Sequence, residues 1–283
     1  MIGAVPQHIV DDAVMRALAE DLGLAGDLTS QAVLSPESRA RAEIVSREAG
    51  VIAGLALGAA AFRLIGPGVT FSPVLSDGDR VAPGGIVATV EGPARLVMSA
   101  ERVALNFLNK LSGIATLTRR YADAVSGTAT RICDTRKTTP GLRAFEKYAV
   151  RCGGGANHRY ALDDAILIKD NHIAVAGCVA AAHAMALRNA GHLVAIEIEV
   201  GSLAELEEAL EAGARIVLLD NMDNETLRRA VAINRGRARL EASGGVKLDR
   251  VRAIAETGVD FISTSQITMA APPLDLGLDV VIT

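Results

Sequence analysis

The sequence predicts an α/β fold in which a parallel sheet follows an N-terminal α+β region. From about residue 130, short apolar segments recur, and helical stretches separate most of them. Strands that alternate with helices form parallel sheets through right-handed crossovers. Roughly six such units follow one another without a nucleotide-binding fingerprint, which favours a barrel over an open doubly wound sheet.

The composition limits the classes of partner and compartment. Of 283 residues, 50% are hydrophobic but only 3% are aromatic, and the net charge is -4. Few stacking platforms and no general basic surface argue against nucleic-acid binding. The longest apolar run is too short to span a bilayer, so no membrane association is expected. Three cysteines without a Cys-x-x-Cys spacing predict a cytoplasmic protein with free thiols and no zinc site.

The N-terminal region alternates short apolar segments with Gly and Pro. Four segments within residues 40–98 are interpreted as strands joined by tight turns, namely "RAEIVSRE", "VTFSPVL", "GIVATVEG" and "ARLVMS". Between them, "GLALGAAAFRLIG" is interpreted as a helix. The next long stretch, residues 99–127, has apolar residues at helical spacing, and Ser99 is its predicted N-cap.

The second region supplies the parallel strands. Its apolar segments are "TRIC", "DAILIK", "LVAIEIEV", "RIVLLD", "ARLEAS" and "VDFIST". Predicted helices cover 173–190, 203–212, 224–235 and 248–257. Ser202 and Glu205 form a capping-box pattern ahead of the second helix.

Polar residues follow each of these strands. Because the carboxyl ends of parallel strands meet at one face, we expect these residues to share a site. Among the cations, Arg136, Lys137, Arg159 and Lys169 are assigned to ligand contact, since Arg and Lys together suit a polyanionic small molecule. Arg131 and Arg151 are interpreted as solvated surface residues.

Carboxylates and small residues complete the predicted site. Glu197 and Glu199 face the same side of one strand, and Asp220 ends the next. Together they suggest ribose hydroxyls, a magnesium ion, or both, although an exposed strand face remains an alternative for Glu197. The segments "ASGGV" and "STSQIT" offer backbone N–H groups that could approach a phosphate closely.

Several segments resemble the quinolinate phosphoribosyltransferase family, the carboxylating nicotinate-nucleotide pyrophosphorylases of NAD biosynthesis. The main block is "DTRKTTPGLRAFEKYAVRCGGGANHRYALDDAILIKDNH", and "ERVALNFLNKLSGIAT", "IEIEV", "LLDNM", "EASGG", "EDLGLAGDLTS" and "APPLDLGLDV" extend the likeness over nearly the whole chain. The resemblance implies a pentosyltransferase that converts quinolinate and phosphoribosyl pyrophosphate, with Mg²⁺ and no organic cofactor, to nicotinate mononucleotide, pyrophosphate and carbon dioxide.

The resemblance also implies an architecture. An N-terminal α+β sandwich domain, residues 1–113, is rejoined by the C-terminal tail 270–283, and residues 114–269 form an incomplete parallel α/β barrel. Members of the family are homodimers in which one subunit's N-terminal domain caps the other's barrel, so the active site is shared. An oligomer larger than a dimer is left open.

Residue roles follow from the same resemblance. Arg136, His158, Arg159 and Lys169 match residues that hold the two quinolinate carboxylates, and Arg102 matches an arginine contributed by the partner subunit. The other matched residues are Thr135 and Lys137 on the pyrophosphate and substrate side, Glu199 and Asp220 near the ribose and magnesium, and Ser243, Gly244, Gly245, Thr264 and Ser265 around the 5'-phosphate. Lys137, Lys169, Glu199 and Asp220 are the expected catalytic residues.

Two departures and two alternatives accompany this interpretation. Ser265 stands where many members have Gly, and Met269 stands where many have His; Ser265 is compatible with backbone binding only if its φ is not positive. One alternative is a relative with a changed substrate, like the pyrophosphorylase-like proteins linked to molybdenum transport. The other is a non-catalytic anion-binding protein. Retention of Lys169, Glu199 and Asp220 favours the enzyme, and the role of Arg143 is left open.

Overall fold

The computed structural model describes residues 3–282. The helices are α1 (Gln7–Leu22), α2 (Leu28–Val33), α3 (Leu55–Leu64), α4 (Ala94–Ala124), α5 (Arg143–Cys152), α6 (Asp170–Ala176), α7 (Val179–Asn189), α8 (Leu203–Glu211), α9 (Asn224–Asn234), α10 (Leu248–Ala255) and α11 (Gln266–Met269). The strands are β1 (Arg39–Ser46), β2 (Gly50–Val51), β3 (Thr70–Pro73), β4 (Arg80–Val81), β5 (Ile86–Pro93), β6 (Arg131–Cys133), β7 (Ile166–Ile168), β8 (Ile196–Val200), β9 (Ile216–Asp220), β10 (Arg239–Ser243), β11 (Phe261–Ser263) and β12 (Leu276–Ile282). Among these described helices, none is long and apolar enough to cross a membrane.

The chain forms two compact units. The first comprises the described parts of Met1–Arg119, Pro140–Gly154 and Ala271–Thr283, and the second comprises Arg120–Thr139 and Gly155–Ala270. The first unit therefore includes α5, which the predicted barrel domain 114–269 contains. Two contacts join α5 to other parts of the first unit. Lys110 Nζ lies 3.2 Å from Glu146 Oε1, and Tyr148 Oη donates a hydrogen bond to Asp77 Oδ2 at 2.7 Å.

The first unit is built on a four-stranded antiparallel sheet. Its strand order is β12, β1, β5, β3, so the predicted α+β character of this region is confirmed. In β1, Ala40, Ala42 and Ile44 are buried and alternate with less buried residues, as a strand with one covered face requires. The predicted helix at α3 is also confirmed, and its Phe62 stacks on Phe71 of β3, with ring centroids 5.9 Å apart.

The segment "ARLVMS" is helical, so its predicted assignment as a strand was wrong. It forms the first turns of α4, which begins at Ala94 and not at Ser99. Ala94, Val97 and Ala100 are all buried at a spacing of three residues, which is a helical period. Ser99 is inside the helix rather than at its N-cap, and its Oγ donates to the carbonyl of Arg95 at 2.8 Å.

The second unit contains a six-stranded, all-parallel sheet in the order β6, β11, β10, β9, β8, β7. Each predicted strand of this region is present. No pairing between the outer strands β6 and β7 is found within residues 3–282, so the barrel is incomplete, as the resemblance implied. This arrangement brings the carboxyl ends of all six strands to one face.

The predicted helices of this unit are present with shifted bounds. The stretch 173–190 is two helices, α6 and α7, because Gly177 adopts a φ of 103° and Cys178 caps the second helix. The Ser202 cap ahead of α8 is confirmed, since its Oγ accepts the Glu205 N–H at 3.2 Å. The Glu205 carboxylate accepts the N–H of Gly201 at 2.7 Å, one residue before the expected partner.

Candidate active site

A cavity of about 680 Å³ opens at the carboxyl ends of the parallel strands. Every predicted site residue of the second unit lines it, namely Thr135, Arg136, Lys137, His158, Arg159, Lys169, Glu199, Asp220, Ser243, Gly244, Gly245, Thr264 and Ser265. The structure thus brings these residues together, while their individual roles in binding stay predictions. Arg102 lies on α4 in the first unit, where its side chain is exposed, and it does not line this cavity.

The loop after β6 is held in a defined conformation. Thr135 Oγ1 accepts the backbone N–H of Lys137 at 3.0 Å, and the Lys137 carbonyl accepts a hydrogen bond from Thr268 Oγ1 at 2.8 Å. Two separate contacts therefore fix the backbone that carries Arg136 and Lys137. Cations whose backbone is fixed in this way lose less conformational entropy when an anion binds.

Asp134, one of the polar residues that follow the first parallel strand but without an assigned role, connects two cation-bearing segments. Its carboxylate is fully buried and accepts the backbone N–H of His158 at 2.9 Å and the side-chain N–H of Asn157 at 2.6 Å. The strand β6 also forms a bridge to Ala156. Asp134 therefore holds Asn157 and His158 next to the loop that carries Arg136 and Lys137.

Arg159 is held at the same edge of the cavity. Its Nη1 donates to the Ala165 carbonyl at 2.9 Å. Partial burial and, secondarily, the nearby guanidinium of Arg136 lower the pKa of Arg159 from its usual value, although an arginine remains charged at any physiological pH. Two close guanidinium groups repel each other, and an anion placed between them would relieve that repulsion.

His158 lies between two buried carboxylates. Its Nε2 is 2.9 Å from Glu197 Oε2 and 3.7 Å from Glu241 Oε1. Its Nδ1 accepts the backbone N–H of Arg159 at 2.7 Å, so the ring carries its hydrogen on Nε2 and donates it to Glu197. Glu197 therefore lies in a buried polar cluster, not on an exposed strand face.

His158, Glu197 and Glu241 together have the spacing of a metal site, because one ligand atom from each lies within 4.8 Å of the others. The hydrogen bonds argue for a proton network instead. A metal ion would need the lone pair of Nε2, but Nδ1 already uses its lone pair as an acceptor, so Nε2 must carry the hydrogen. Burial and the nearby charge of Glu197 raise the pKa of Glu241 to about 7.

Lys169 and Glu199 form an ion pair across neighbouring strands. Lys169 Nζ lies 2.8 Å from Glu199 Oε2 at the ends of β7 and β8. The backbone N–H of Lys169 donates to His172 Nδ1 at 2.9 Å, which fixes the start of α6. The cavity therefore presents a cation and a carboxylate side by side.

The segments after β9 and β10 approach each other closely. Asn221, at a φ of 54°, donates through Nδ2 to Asp220 Oδ2 at 2.8 Å, and its backbone N–H donates to the Ser243 carbonyl at 2.9 Å. Gly244 has a φ of 97°, and a Cβ there would lie 2.2 Å from Asn221 Oδ1. Only glycine therefore fits this position. Asn221, which follows Asp220 at the predicted strand end, also lines the cavity.

Ser265 is compatible with the conformation of the last loop. Its φ is -80°, so the departure from Gly at this position introduces no backbone strain. Thr264 is fixed by its backbone N–H, which donates to the Cys133 carbonyl at 3.1 Å, and its Oγ1 accepts the N–H of Gln266 at 3.2 Å. Met269 is largely exposed on α11 and does not line the cavity.

Comparisons with known proteins agree with this geometry. Residues 114–279 match the family described as "Quinolinate phosphoribosyl transferase, C-terminal domain", and residues 27–112 match the corresponding N-terminal domain. A relative from Synechocystis sp., named "Probable nicotinate-nucleotide pyrophosphorylase [carboxylating]", is 44% identical over 98% of this chain and 94% of its own length. A nicotinate-nucleotide pyrophosphorylase (carboxylating) from Mycobacterium leprae is 41% identical over 95% of this chain and 96% of its own.

The solved structures show the same relationship. The nicotinate-nucleotide pyrophosphorylase from Francisella tularensis superimposes with a TM-score of 0.95 at 40% identity, and the match covers 99% of both chains. NadC from Streptococcus pyogenes superimposes with a TM-score of 0.96 at 40% identity over the same shares. By sequence over nearly its whole length and by fold, the chain belongs to the quinolinate phosphoribosyltransferase family.

Proposed function

We propose that the protein transfers the phosphoribosyl group of phosphoribosyl pyrophosphate to quinolinate and releases carbon dioxide, which gives nicotinate mononucleotide and pyrophosphate for NAD biosynthesis. The single cavity that gathers the cations, the carboxylates and the glycine loop carries this proposal. The two substrates together bring two carboxylates, a monophosphate and a pyrophosphate. Relatives that share 41–44% of their residues with this chain bear the name of the same reaction.

The quinolinate carboxylates are assigned to the cations at one edge of the cavity. Arg136 and Arg159 offer guanidinium groups that can each bind a carboxylate through two hydrogen bonds. Lys169 supplies a point charge in the same cavity, and His158, whose side chain is 11% exposed, completes the wall of this pocket. Partial burial of Arg136 and Arg159 strengthens their attraction for a dianion relative to a site in open water.

The 5'-phosphate is assigned to the two loops at the other edge. Ser243, Gly244 and Gly245 lie on one loop, and Thr264 and Ser265 on the other. Gly244 and Gly245 both have positive φ angles, and their backbone N–H groups are the proposed phosphate donors of this loop. Backbone donors of this kind bind phosphate without adding net charge.

Glu199 and Asp220 are assigned to the ribose hydroxyls and to a magnesium ion that arrives mainly bound to pyrophosphate. Their carboxylate oxygens are the hard ligands that Mg²⁺ prefers, and both line the cavity. When bound, the ion would neutralise part of the charge on the departing pyrophosphate. Lys137, on the fixed loop after β6, would stabilise that same charge from the protein side.

The chemistry requires positioning more than activation by the protein. The pyridine nitrogen of quinolinate is the nucleophile, so neither a protein nucleophile nor an organic cofactor is needed. After the ring nitrogen bonds to the ribose, its positive charge stabilises the electron pair left by carbon dioxide. The protein must hold the ring against the anomeric carbon, which the cations at one edge and the phosphate loops at the other edge would do together.

Assembly and location are further parts of the proposal. We infer a homodimer in which Arg102 of one subunit completes the quinolinate pocket of the other, and the exposure of this side chain in the described chain supports that role. We also infer a cytoplasmic enzyme. Its three cysteines are free, as is usual in a reducing compartment.

The direct test is turnover by the purified protein. Quinolinate, phosphoribosyl pyrophosphate and Mg²⁺ should yield nicotinate mononucleotide, measured by chromatography together with released carbon dioxide. Omission of any one of the three should stop the reaction. A folded protein that forms no nicotinate mononucleotide with all three present would contradict the proposal. Such a result would favour the alternative of a non-catalytic anion-binding protein.

A further inference from the structure

Glu241 is a buried carboxyl group with no role in the mechanism above. It lies in the middle of β10, is only 5% exposed, and nevertheless forms part of the cavity wall. Its Oε1 receives no hydrogen bond from the described residues. A buried carboxylate oxygen without a donor is costly, and a proton on that carboxyl group removes the cost.

His158 lies between Glu241 and Glu197 and can donate its Nε2 hydrogen to only one of the two carboxylates. His158 has its hydrogen on Nε2 and donates it to Glu197 at 2.9 Å, while Glu241 is farther away at 3.7 Å. Ser263 gives Glu241 a side-chain hydrogen bond, and Asp134 adds a further negative charge nearby. Because two adjacent buried carboxyl groups cannot both ionise cheaply, one of them keeps a proton. Glu241 is that group, and its pKa of about 7 agrees.

The arrival of quinolinate would strengthen this effect. The neighbouring His158, Arg159 and Arg136 are assigned to its carboxylates, so two more negative charges would enter the space that Glu241 faces. An ionised Glu241 would repel them, whereas a neutral carboxylic acid would not. Substrate binding therefore favours the protonated form of Glu241 at the point where the ring would lie.

The proposed reaction needs a proton at this place, and this inference rests on that proposed function. When the bond between the ring carbon and the carboxylate breaks, carbon dioxide leaves and the electron pair stays on the ring carbon. We propose that Glu241 donates its carboxyl proton to this ring carbon, which forms the C–H bond of nicotinate mononucleotide. The Glu241 carboxylate then regains a proton from water after the product leaves.

Other cavity residues are less suited to this step. Lys169 is engaged with Glu199 at 2.8 Å, and loss of its proton would cost that ion pair as well as a cation for the substrate. Lys137 is exposed at the cavity wall and is assigned to pyrophosphate. Glu199 and Asp220 are assigned to the ribose and magnesium, which favour their ionised forms. Glu241 is a neutral acid whose proton can leave without the loss of an ion pair.

The test compares Glu241→Gln with the wild-type enzyme. Glutamine keeps the shape and a neutral hydrogen-bond donor but has no transferable proton. We expect quinolinate to bind within about threefold of wild type by calorimetry, and pyrophosphate to be released in the first turnover within about threefold. Formation of nicotinate mononucleotide should fall by roughly 100-fold or more, a loss in the range of general acid catalysis.

The outcomes separate a proton donor from a structural residue. If the variant forms nicotinate mononucleotide within threefold of wild type, Glu241 is not the donor. If quinolinate binding and pyrophosphate release fall together with product formation, Glu241 only supports the pocket, and the inference is also wrong. Glu241→Asp restores an acid and should be at least tenfold faster than Glu241→Gln; equal rates would overturn the proposal.

Glu241→Asp also keeps the inference testable if the Gln variant does not fold. Its first-turnover pyrophosphate release should then be compared with its product formation, and only the second step should be slowed relative to wild type. Equal slowing of the two steps would rule out the proton donor. The wild-type protein serves as the separate check of function, because its own failure to make nicotinate mononucleotide would refute the reaction itself rather than the role of Glu241.

Discussion

Lys169 Nζ and Glu199 Oε2 lie 2.8 Å apart, and the pair joins the ends of two neighbouring parallel strands at the cavity. The Lys169 side chain is 48% exposed, so the pair adds less than about 1 kcal/mol to the free energy of unfolding. Lys169→Met should therefore leave the melting temperature nearly unchanged. It should lower kcat/KM for quinolinate by roughly 100-fold, because the proposed contact between Lys169 and a quinolinate carboxylate would be lost.

A matched control for this change is Arg252→Met. It removes another exposed ion pair, Arg252 with Glu256, which lies outside the cavity. Steady-state kinetics and thermal melts of both variants should show a loss of activity only for Lys169→Met. A comparable loss in the control would mean that general destabilisation, not ligand contact, explains the first result.

Gly244→Ala should damage both stability and phosphate binding. An alanine Cβ would lie 2.2 Å from Asn221 Oδ1, and the φ of 97° is itself unfavourable for alanine. The combined cost should be at least about 2 kcal/mol in a urea titration. The KM for phosphoribosyl pyrophosphate should rise at least tenfold, because the glycine loop must move to relieve the contact.

Gly236→Ala separates backbone strain from the close contact. Gly236 also has a positive φ, 74°, but a Cβ there would meet nothing within 4 Å. We expect a cost of about 1 kcal/mol and an unchanged KM. Equal effects of the two substitutions would show that the approach of Asn221 to Gly244 is unimportant.

Asp134→Asn should disorder the segment that carries His158 and Arg159. The buried carboxylate of Asp134 accepts two N–H groups, at 2.6 and 2.9 Å, whereas an amide would set its own N–H₂ against one of these donors. A loss of about 1–3 kcal/mol of stability and a weaker affinity for quinolinate are expected. The exposed Asp163 is a suitable control, because Asp163→Asn should change neither quantity in calorimetry.

The raised pKa of Glu241 predicts a pH dependence of stability. The folded protein holds this proton up to a pH of about 7, but the unfolded chain releases it near the ordinary value of 4.5. Burial is the main cause of the raised pKa, and the nearby charges of Glu197 and Asp134 raise it further, whereas His158 and the hydrogen bond from Ser263 lower it. Between these pH values the folded state binds more protons, so the contribution of Glu241 is fully present at the lower pH and is lost as the pH rises.

This dependence can be isolated with Glu241→Gln. The melting temperature of wild type minus that of the variant should decrease as the pH rises from about 5 to about 7.5. A difference that is constant or increases over this window would contradict a proton held on Glu241. Melts in buffers of equal ionic strength would exclude screening effects on exposed pairs.

A shared active site predicts complementation between two inactive variants. Arg102→Ala should lose quinolinate binding and remain folded, since the side chain is exposed. Lys169→Ala should be inactive in its own cavity. A dimer that contains one subunit of each kind has one intact site out of two. Random exchange makes about half of the dimers mixed, so about one quarter of all sites, and of the wild-type activity, should be recovered. No recovery despite demonstrated subunit exchange would argue against sharing.

The strand ends were predictable because parallel strands place their carboxyl ends at one face whatever the exact register. This rule alone predicts that Lys169, Glu199 and Asp220 share one site, and all three line the same cavity in the structure. The role of Asp134 was not predictable, because its two partners lie more than 20 residues away in sequence. They meet it only through the bridge from β6 to Ala156, which follows no periodic pattern.

Glu241 shows a similar limit. The sequence predicts Glu197 as a carboxylate of the site, but no local pattern reveals that it meets Glu241, which lies on another strand. The error at "ARLVMS" had a different origin. A six-residue window can satisfy both alternation and helical spacing, and here the continuation of the helix through Ser99 and beyond decides the outcome.

The last strand, β12, pairs with β1 along Ala40 to Ser46, and the Arg47 and Asp279 side chains next to this pairing are 232 residues apart in sequence. During synthesis on the ribosome, β1 must therefore wait with one edge unpaired until almost the entire chain has been translated. An unpaired edge is a site for aggregation. A nascent chain arrested before residue 276 should accordingly bind chaperones that the completed chain does not need.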